Sequence, residues 1–371
     1  MLPMAIDRRG FLAGLIGVAG AAGFEARAGA EGAADLYAAA RKGAGERYSA
    51  AVFDEAGSEI NAVALPARGH DITVCPVTRR CVVFARRPGN FAVAFSPDRS
   101  LPPIPFTTPP DRHFYGHGVF SPDGRLLFAT ENDFAAGEGR LGIYDATGGF
   151  RRLGEFSAFG IDPHDIALLK DGTTLVIANG GLATHPDFGR GREPLDLAAM
   201  DPSLSYVDLR HGDLIEKHAL PKDLHEVSLR HLDIGTGSRV VIGCQLAHPG
   251  DADMPLILRH RRGEDIAAVP VERSLAASLR GYISSVAMDP AGEIAAITSS
   301  HGNLIVFIEV ASGRVLGTRR LADVSGVAAG PAPGSFMLTS GFGRIVTGAS
   351  QGNLTPVADT DWHWDNHAVK L

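Results

Sequence analysis

The sequence predicts an all-β chain folded as a seven-bladed β-propeller, and three observations carry that prediction. Apolar runs are short and separated by Pro, Asp and Gly, as in FYGHGVFSPDGRLLFATENDFAAGEGRLGIYD from Phe114 to Asp145. Runs of this length bounded by turn residues fit antiparallel strands better than helices. The unit recurs, and histidine tends to open it. Starts at His70, His117, His164, His231, Ser285, Gly326 and His367 are 47, 47, 67, 54, 41 and 41 residues apart, against roughly 40–50 for a propeller blade.

Taken in order, residues 1–28 read as an export signal of twin-arginine type. Arg8-Arg9-Gly10-Phe11-Leu12 precedes a Gly/Ala-rich apolar run to Phe24, and Ala26-Arg27-Ala28 supplies the small residues a signal peptidase reads. The run is too short for a membrane span. The expectation is therefore a periplasmic protein with no membrane span after signal removal. Residues 29–46 form an Ala/Gly-rich lead-in for which a short rim helix and a flexible segment both remain open. The single propeller is expected over 47–371. Its first strands, Arg47 to Asp54 and Glu59 to Leu65, precede any histidine-led strand. If the segment from His367 is the inner strand of the last blade, this N-terminal pair completes that blade from outside, closing the ring and removing two sheet edges.

Within the blades, Asp123-Gly124 and Asp171-Gly172 supply the tight turns between hydrophobic runs. Two insertions interrupt the repeat. Gly180 to Tyr206 is too polar and too rich in Gly and Pro for a strand pair; it is either a loop closing over a site or one held by its own polar contacts. Leu246 to Leu279 contains ERSLAASLR, residues 272–280, which reads as a short helix. Cys75 and Cys81 flank a hairpin, so a disulfide and two packed thiols are both open; Cys244 stands alone, and no CxxC motif is present.

Composition agrees with many turns around apolar inter-blade layers: 45 Gly, 23 Pro and 45% hydrophobic residues in 371. A net charge of −7 with no basic stripe argues against nucleic acid as a partner. HExxH and GxxxxGK are absent.

The chemical prediction concerns the opening histidines. The innermost strand of every blade borders the channel, so His70, His117, His164, His231 and His367 converge at one mouth, with Ser285 and Gly326 completing the circle. Protonated imidazoles would repel one another, which favours neutral rings around a cation. Imidazole donors suit iron, copper, zinc or nickel. His225, in HEVSLRH, competes with His231 for the fourth position, and His185 in the long loop is a further candidate ligand. Asp71, Asp165, Glu226 and Asp365 stand beside these histidines as orienting carboxylates or general bases.

Several segments together carry a family resemblance: 114–133, GIDPHDIALLKDGTTLVIANGG (160–181), THPDFGRGREPLDLAAMDPSLSYVD (184–208), SLRHLD (228–233), LTSGFGR (338–344) and the terminal WDNH (364–367). From about residue 48 onward the chain resembles the bacterial DUF1513 family. That resemblance implies a twin-arginine-exported periplasmic propeller encoded beside imelysin-type iron-regulated lipoproteins and a dihaem peroxidase-like protein, and hence a part in iron acquisition, with iron the favoured metal and copper or zinc as alternatives. Three functions remain open: a metal-binding protein of the periplasm; a metal-dependent oxidoreductase, lyase or hydrolase using the same ring; and a partner-binding scaffold whose histidines are structural.

Overall fold

The computed structural model describes residues 35–191, 193–247 and 253–371; the expected export signal lies outside them. Among the described residues, 28 strands form seven four-stranded antiparallel sheets. The inner strands are Gly69–Val74, Arg112–Phe120, Pro163–Leu168, Val227–Ile234, Ser285–Met288, Val324–Ala329 and His363–Lys370. Each touches the next, and the last touches the first, so the circle is closed.

Local chemistry explains the hairpins. In Ser121-Pro122-Asp123-Gly124 the Asp123 carboxylate accepts from the Ser121 hydroxyl (2.6 Å) and from Arg125 N (3.1 Å), and Gly124 takes φ +68°. Asp171 and Asp289 bind backbone N–H groups across their own turns in the same way. Apolar layers then fill the spaces between blades. Val82, Phe84, Phe114, Leu127 and Tyr144 make one such layer.

This layering decides the cysteines. Val74 pairs with Cys81, which places Cys75 and Cys81 on opposite faces of one sheet. Cys75 packs with Phe84 and Phe114, whereas Cys81 packs with Ala38, Val63 and Phe95. Both are free thiols, as is Cys244. The disulfide alternative fails because the pleat points the two sulfurs apart.

The closing blade is built as expected from both chain ends, with one additional strand. Its order is His363–Lys370, Leu36–Lys42, Tyr48–Asp54, Glu59–Leu65. Leu36–Lys42 falls in the lead-in segment, where a helix or a flexible stretch had been the two options. Tyr37 and Ala38 to Ala40 are fully buried there. Small side chains are required because the blade narrows toward the axis: a Cβ on Gly69 would stand 3.0 Å from that of Ala40. The helix-like Ala run is thus a packing requirement of a strand, with tertiary contacts overriding local propensity.

One irregularity recurs and positions the site. The five histidine-bearing inner strands each lose register with their neighbour at or beside the histidine, between Gly69 and Ile72, Phe114 and Gly118, Pro163 and Asp165, Leu229 and His231, and opposite the Ala39/Arg41 step. Of the two inner strands without a ring histidine, Ser285–Met288 pairs without a break, while Val324–Ala329 loses register between Val324 and Val327. Such bulges insert an extra residue and re-aim a side chain. The short helix expected in 272–280 is present as Arg273–Ser278.

Candidate metal centre

The bulges bring the five predicted histidines together as a closed ring. Successive imidazole centroids are 4.9 Å (His70 to His117), 5.0 Å (His117 to His164), 4.9 Å (His164 to His231), 4.6 Å (His231 to His367) and 4.7 Å (His367 to His70) apart. All five are buried. Two overlapping groups, His70/His117/His367 and His117/His164/His231, have ligand atoms within 4.8 Å of one another. Ser285 contributes as its place in the circle predicts, with its hydroxyl 3.1 Å from His367 Nδ1. Gly116 sits in the bulge before His117 at φ +112°, and a Cβ there would lie 2.4 Å from His70 Cδ2; no other residue type allows that approach.

The ring nitrogens are unusually unsatisfied. His70 Nδ1, His117 Nε2, His164 Nε2, both nitrogens of His231 and His367 Nε2 are buried with no hydrogen-bond partner in the protein. Each such group costs about 1–3 kcal/mol, so the set costs on the order of 10 kcal/mol, comparable with the whole net stability of a domain. Buried polar atoms are otherwise almost always paired. A centre that ligates through the unprotonated nitrogens among them removes part of the cost.

Electrostatics sorts the five into roles. His117 Nδ1 is 3.2 Å from both Asp71 Oδ2 and Asp165 Oδ1. A carboxylate only accepts, so Nδ1 carries a proton and Nε2 is the nitrogen that could ligate an ion, an arrangement seen around bound metals. Burial pulls the His117 pKa down, but Asp165 and Asp71 outweigh it and push it up to about 10. Burial holds His70, His164 and His231 well below 6.5, reinforced by neighbouring positive charge, and takes His367 down to about 4. His70 Nδ1 lies 3.8 Å from Asp365 Oδ1. His164 is different: Arg230 donates to its Nδ1 at 3.0 Å. A guanidinium has no acceptor, so the proton of neutral His164 is on Nε2.

The remaining candidates lie elsewhere. His225 follows a short 3-10 turn, with Nδ1 bonded to the Lys222 carbonyl (2.9 Å); His231 takes the ring position within Val227–Ile234, and His225 lies in the turn before that strand. Glu226 accompanies His225 outside the ring. His185 stays in the long loop, stacked edge-on to Phe134 at 5.2 Å and accepting from Asp187 N. Asn132 donates to the Thr184 carbonyl at 3.0 Å, so polar contacts hold this loop. A third cluster, Glu216/His218/His260, offers no comparable centre. Both nitrogens of His260 are engaged, by the Tyr206 hydroxyl (2.6 Å) and the Glu264 carbonyl (2.8 Å).

Sequence reasoning missed the pocket beside the ring. It has a volume of about 70 Å³ and reaches His70, His164 and His231. Its other walls include Arg86, Arg87, Arg230, Tyr115, Tyr282 and Asn366. Behind them, Asp365 pairs with Arg68 (2.5 Å) and Arg86 (2.8 Å), and Asp162 with Arg230 (2.8 Å) and Arg87 (3.3 Å). The available signal was adjacency: Arg230 precedes a ring histidine, Tyr115 and Asp162 each stand two residues before one, and Arg86-Arg87 follow the buried run Cys81 to Ala85.

Fold and site together define a seven-bladed propeller with a histidine/acidic cluster at its axis that is capable of coordinating a metal ion. The chain belongs to the family described as "Protein of unknown function (DUF1513)", whose model matches residues 63–371. Comparison with curated proteins gives no match. Among solved structures the chain is similar to Kuenenia stuttgartiensis hydrazine synthase (14% identity, 82% of this chain and 92% of that one, TM-score 0.58). It is also similar to a chain of the mitotic checkpoint complex (14%, 81% and 83%, 0.58) and to the Myceliophteria thermophila Cps50 (Swd1) β-propeller domain (10%, 82% and 92%, 0.53). At these identities the likeness is one of fold.

Proposed function

We propose that this protein binds a transition-metal ion at the propeller axis through His70, His117, His231 and His367, and that it serves iron handling in the periplasm. The observation that carries the metal reading is the closed ring of five buried imidazoles, each with at least one ring nitrogen that has no protein partner. Imidazole donors, with His117 giving up its Nε2 proton to the ion and carboxylates behind His117 and His70, suit Fe, Zn, Cu or Ni rather than Ca or Mg. Asp71 and Asp165 behind His117, and Asp365 behind His70, orient the ligands and offset the ion's charge. His164, set as an N–H donor by Arg230, stands at the centre without ligating. The choice of iron, the periplasm and partners of the imelysin type are supported by the family resemblance and by the Arg8-Arg9 leader. The test is elemental analysis of untagged protein recovered from its exported compartment. About one iron per chain is expected, and a chain that is empty and refuses iron, copper and zinc on titration overturns the proposal.

A second reading, a metal-dependent enzyme on the same ring, is favoured by the pocket that abuts His70, His164 and His231. A site meant only to store an ion has no use for a polar chamber beside it. In that reading the metal supplies Lewis acidity, while Arg86 and Arg230 orient substrate and His164 holds a donatable proton.

A further inference from the structure

The walls of the axial pocket are rich in donors. Arg86, Arg87 and Arg230 present guanidinium groups, Tyr115 and Asn366 add a hydroxyl and an amide, and no carboxylate is among the lining residues. Arg230 is buried to 3% exposure, and Arg86 and Arg87 retain 18% and 15% side-chain exposure, so the pocket runs from near the surface to the ring. Asp365 serves both Arg68 and Arg86, and Asp162 serves both Arg87 and Arg230, while Arg230 Nε is buried with no hydrogen-bond partner. His164 faces the same pocket with its proton on Nε2. A buried guanidinium N–H without an acceptor is costly, and a guanidinium fork matches the two oxygens of a carboxylate.

Size narrows the class. One water needs roughly 10–15 Å³, and drug-sized ligands need roughly 300–1,000 Å³; about 70 Å³ admits a group of a few heavy atoms. We infer that the pocket binds a carboxylate-sized oxyanion, either free carbonate or the carboxylate of a small organic acid, held by Arg86 and Arg230 against the ring so that anion and metal bind cooperatively. The inference rests on the metal reading for its cooperative part, while the anion subsite itself stands on the arginines.

Two titrations test it, both on the full mature chain. In the first, metal-free protein is titrated with bicarbonate, formate, acetate, succinate and phosphate in chloride buffer. In the second, Fe(II) or Zn(II) is titrated with and without each anion. Binding of a carboxylate or carbonate to the metal-free protein, with metal affinity raised at least tenfold in its presence, is expected. Arg86→Gln and, separately, Arg230→Lys should lose that tenfold gain while still taking up metal. Preference for bicarbonate identifies the free ion, and preference for acetate or succinate identifies an organic acid. Preference for phosphate, equal metal affinity in every buffer, or an undiminished gain in folded Arg86→Gln overturns the inference. Should the wild-type chain bind no metal but still bind a carboxylate, the metal reading falls and the anion subsite stands; should it bind metal with no anion effect, the reverse holds.

Discussion

His117 differs from its four neighbours because two carboxylates share its Nδ1, and that difference sets how the metal-free centre responds to pH. Its pKa is raised to about 10 from the ordinary 6.5, so its contribution to stability is complete below pH 6.5 and is lost as pH rises toward 10. His70, His164 and His231 are held below 6.5; the unfolded chain takes protons there that the native state does not, so their contribution falls as pH drops beneath 6.5. Metal-free protein should therefore melt highest near pH 6.5, and thermal melts at pH 5, 6.5, 8 and 9.5 that rise or fall steadily would contradict this. Two substitutions probe the ring directly. His117→Ala should abolish metal uptake while leaving a sheet-like far-UV spectrum, whereas His164→Ala should retain the metal, since Arg230 already claims the His164 Nδ1 lone pair; elemental analysis of both proteins separates these roles. Asp71→Asn should lower metal affinity by about 10–100-fold, measured by competition with a chelator.

At the scale of strands, the bulged inner edges are tied to one another by aspartates. Asp165 accepts Leu232 N at 2.9 Å, and Asp233 accepts Met288 N and Ile234 N at 2.7 Å each. Asp233→Ala leaves two backbone donors without their acceptor and should cost about 2–6 kcal/mol at about 1–3 kcal/mol each, read as a lower urea midpoint with an unchanged slope. The sequence exposed the strands themselves because the Asp-Gly turns and short apolar runs are local signals. The histidine starts were legible for the same reason, since a period of about one blade puts like positions on the same edge. Leu36–Lys42 was not legible, because its Ala run serves a narrow packing site that no neighbouring residue announces. The arginine pocket was hidden for a related reason: Arg86 follows the end of one strand, Arg230 sits in the bulge of another, and Asn366 belongs to the last, so only closure of the ring joins them.

The molecule as a whole depends on the closing blade. Deleting residues 363–371 removes His367 and Asp365 together and strips the partner from one edge of Leu36–Lys42. The truncated chain should be insoluble or associate through its exposed strand edges, which size-exclusion chromatography would register; a monomeric, metal-binding truncation would show that closure is dispensable. Closure from both termini was legible because the first two recognised strands lacked a histidine-led inner partner and the last segment lacked outer ones. Each fragment made sense only as the complement of the other.

The order of synthesis gives that arrangement a temporal meaning. Arg68 and Asp365 are 297 residues apart in the chain and 2.5 Å apart in the fold, and His70 and His367 meet beside them. A nascent chain emerging N-terminus first holds His70, His117, His164 and His231 long before His367 and Asp365 exist. The four early histidines have no completed circle until the segment bearing Asp365 and His367 has left the ribosome, so an ion bound by the proposed centre would meet its full set of ligands only after that.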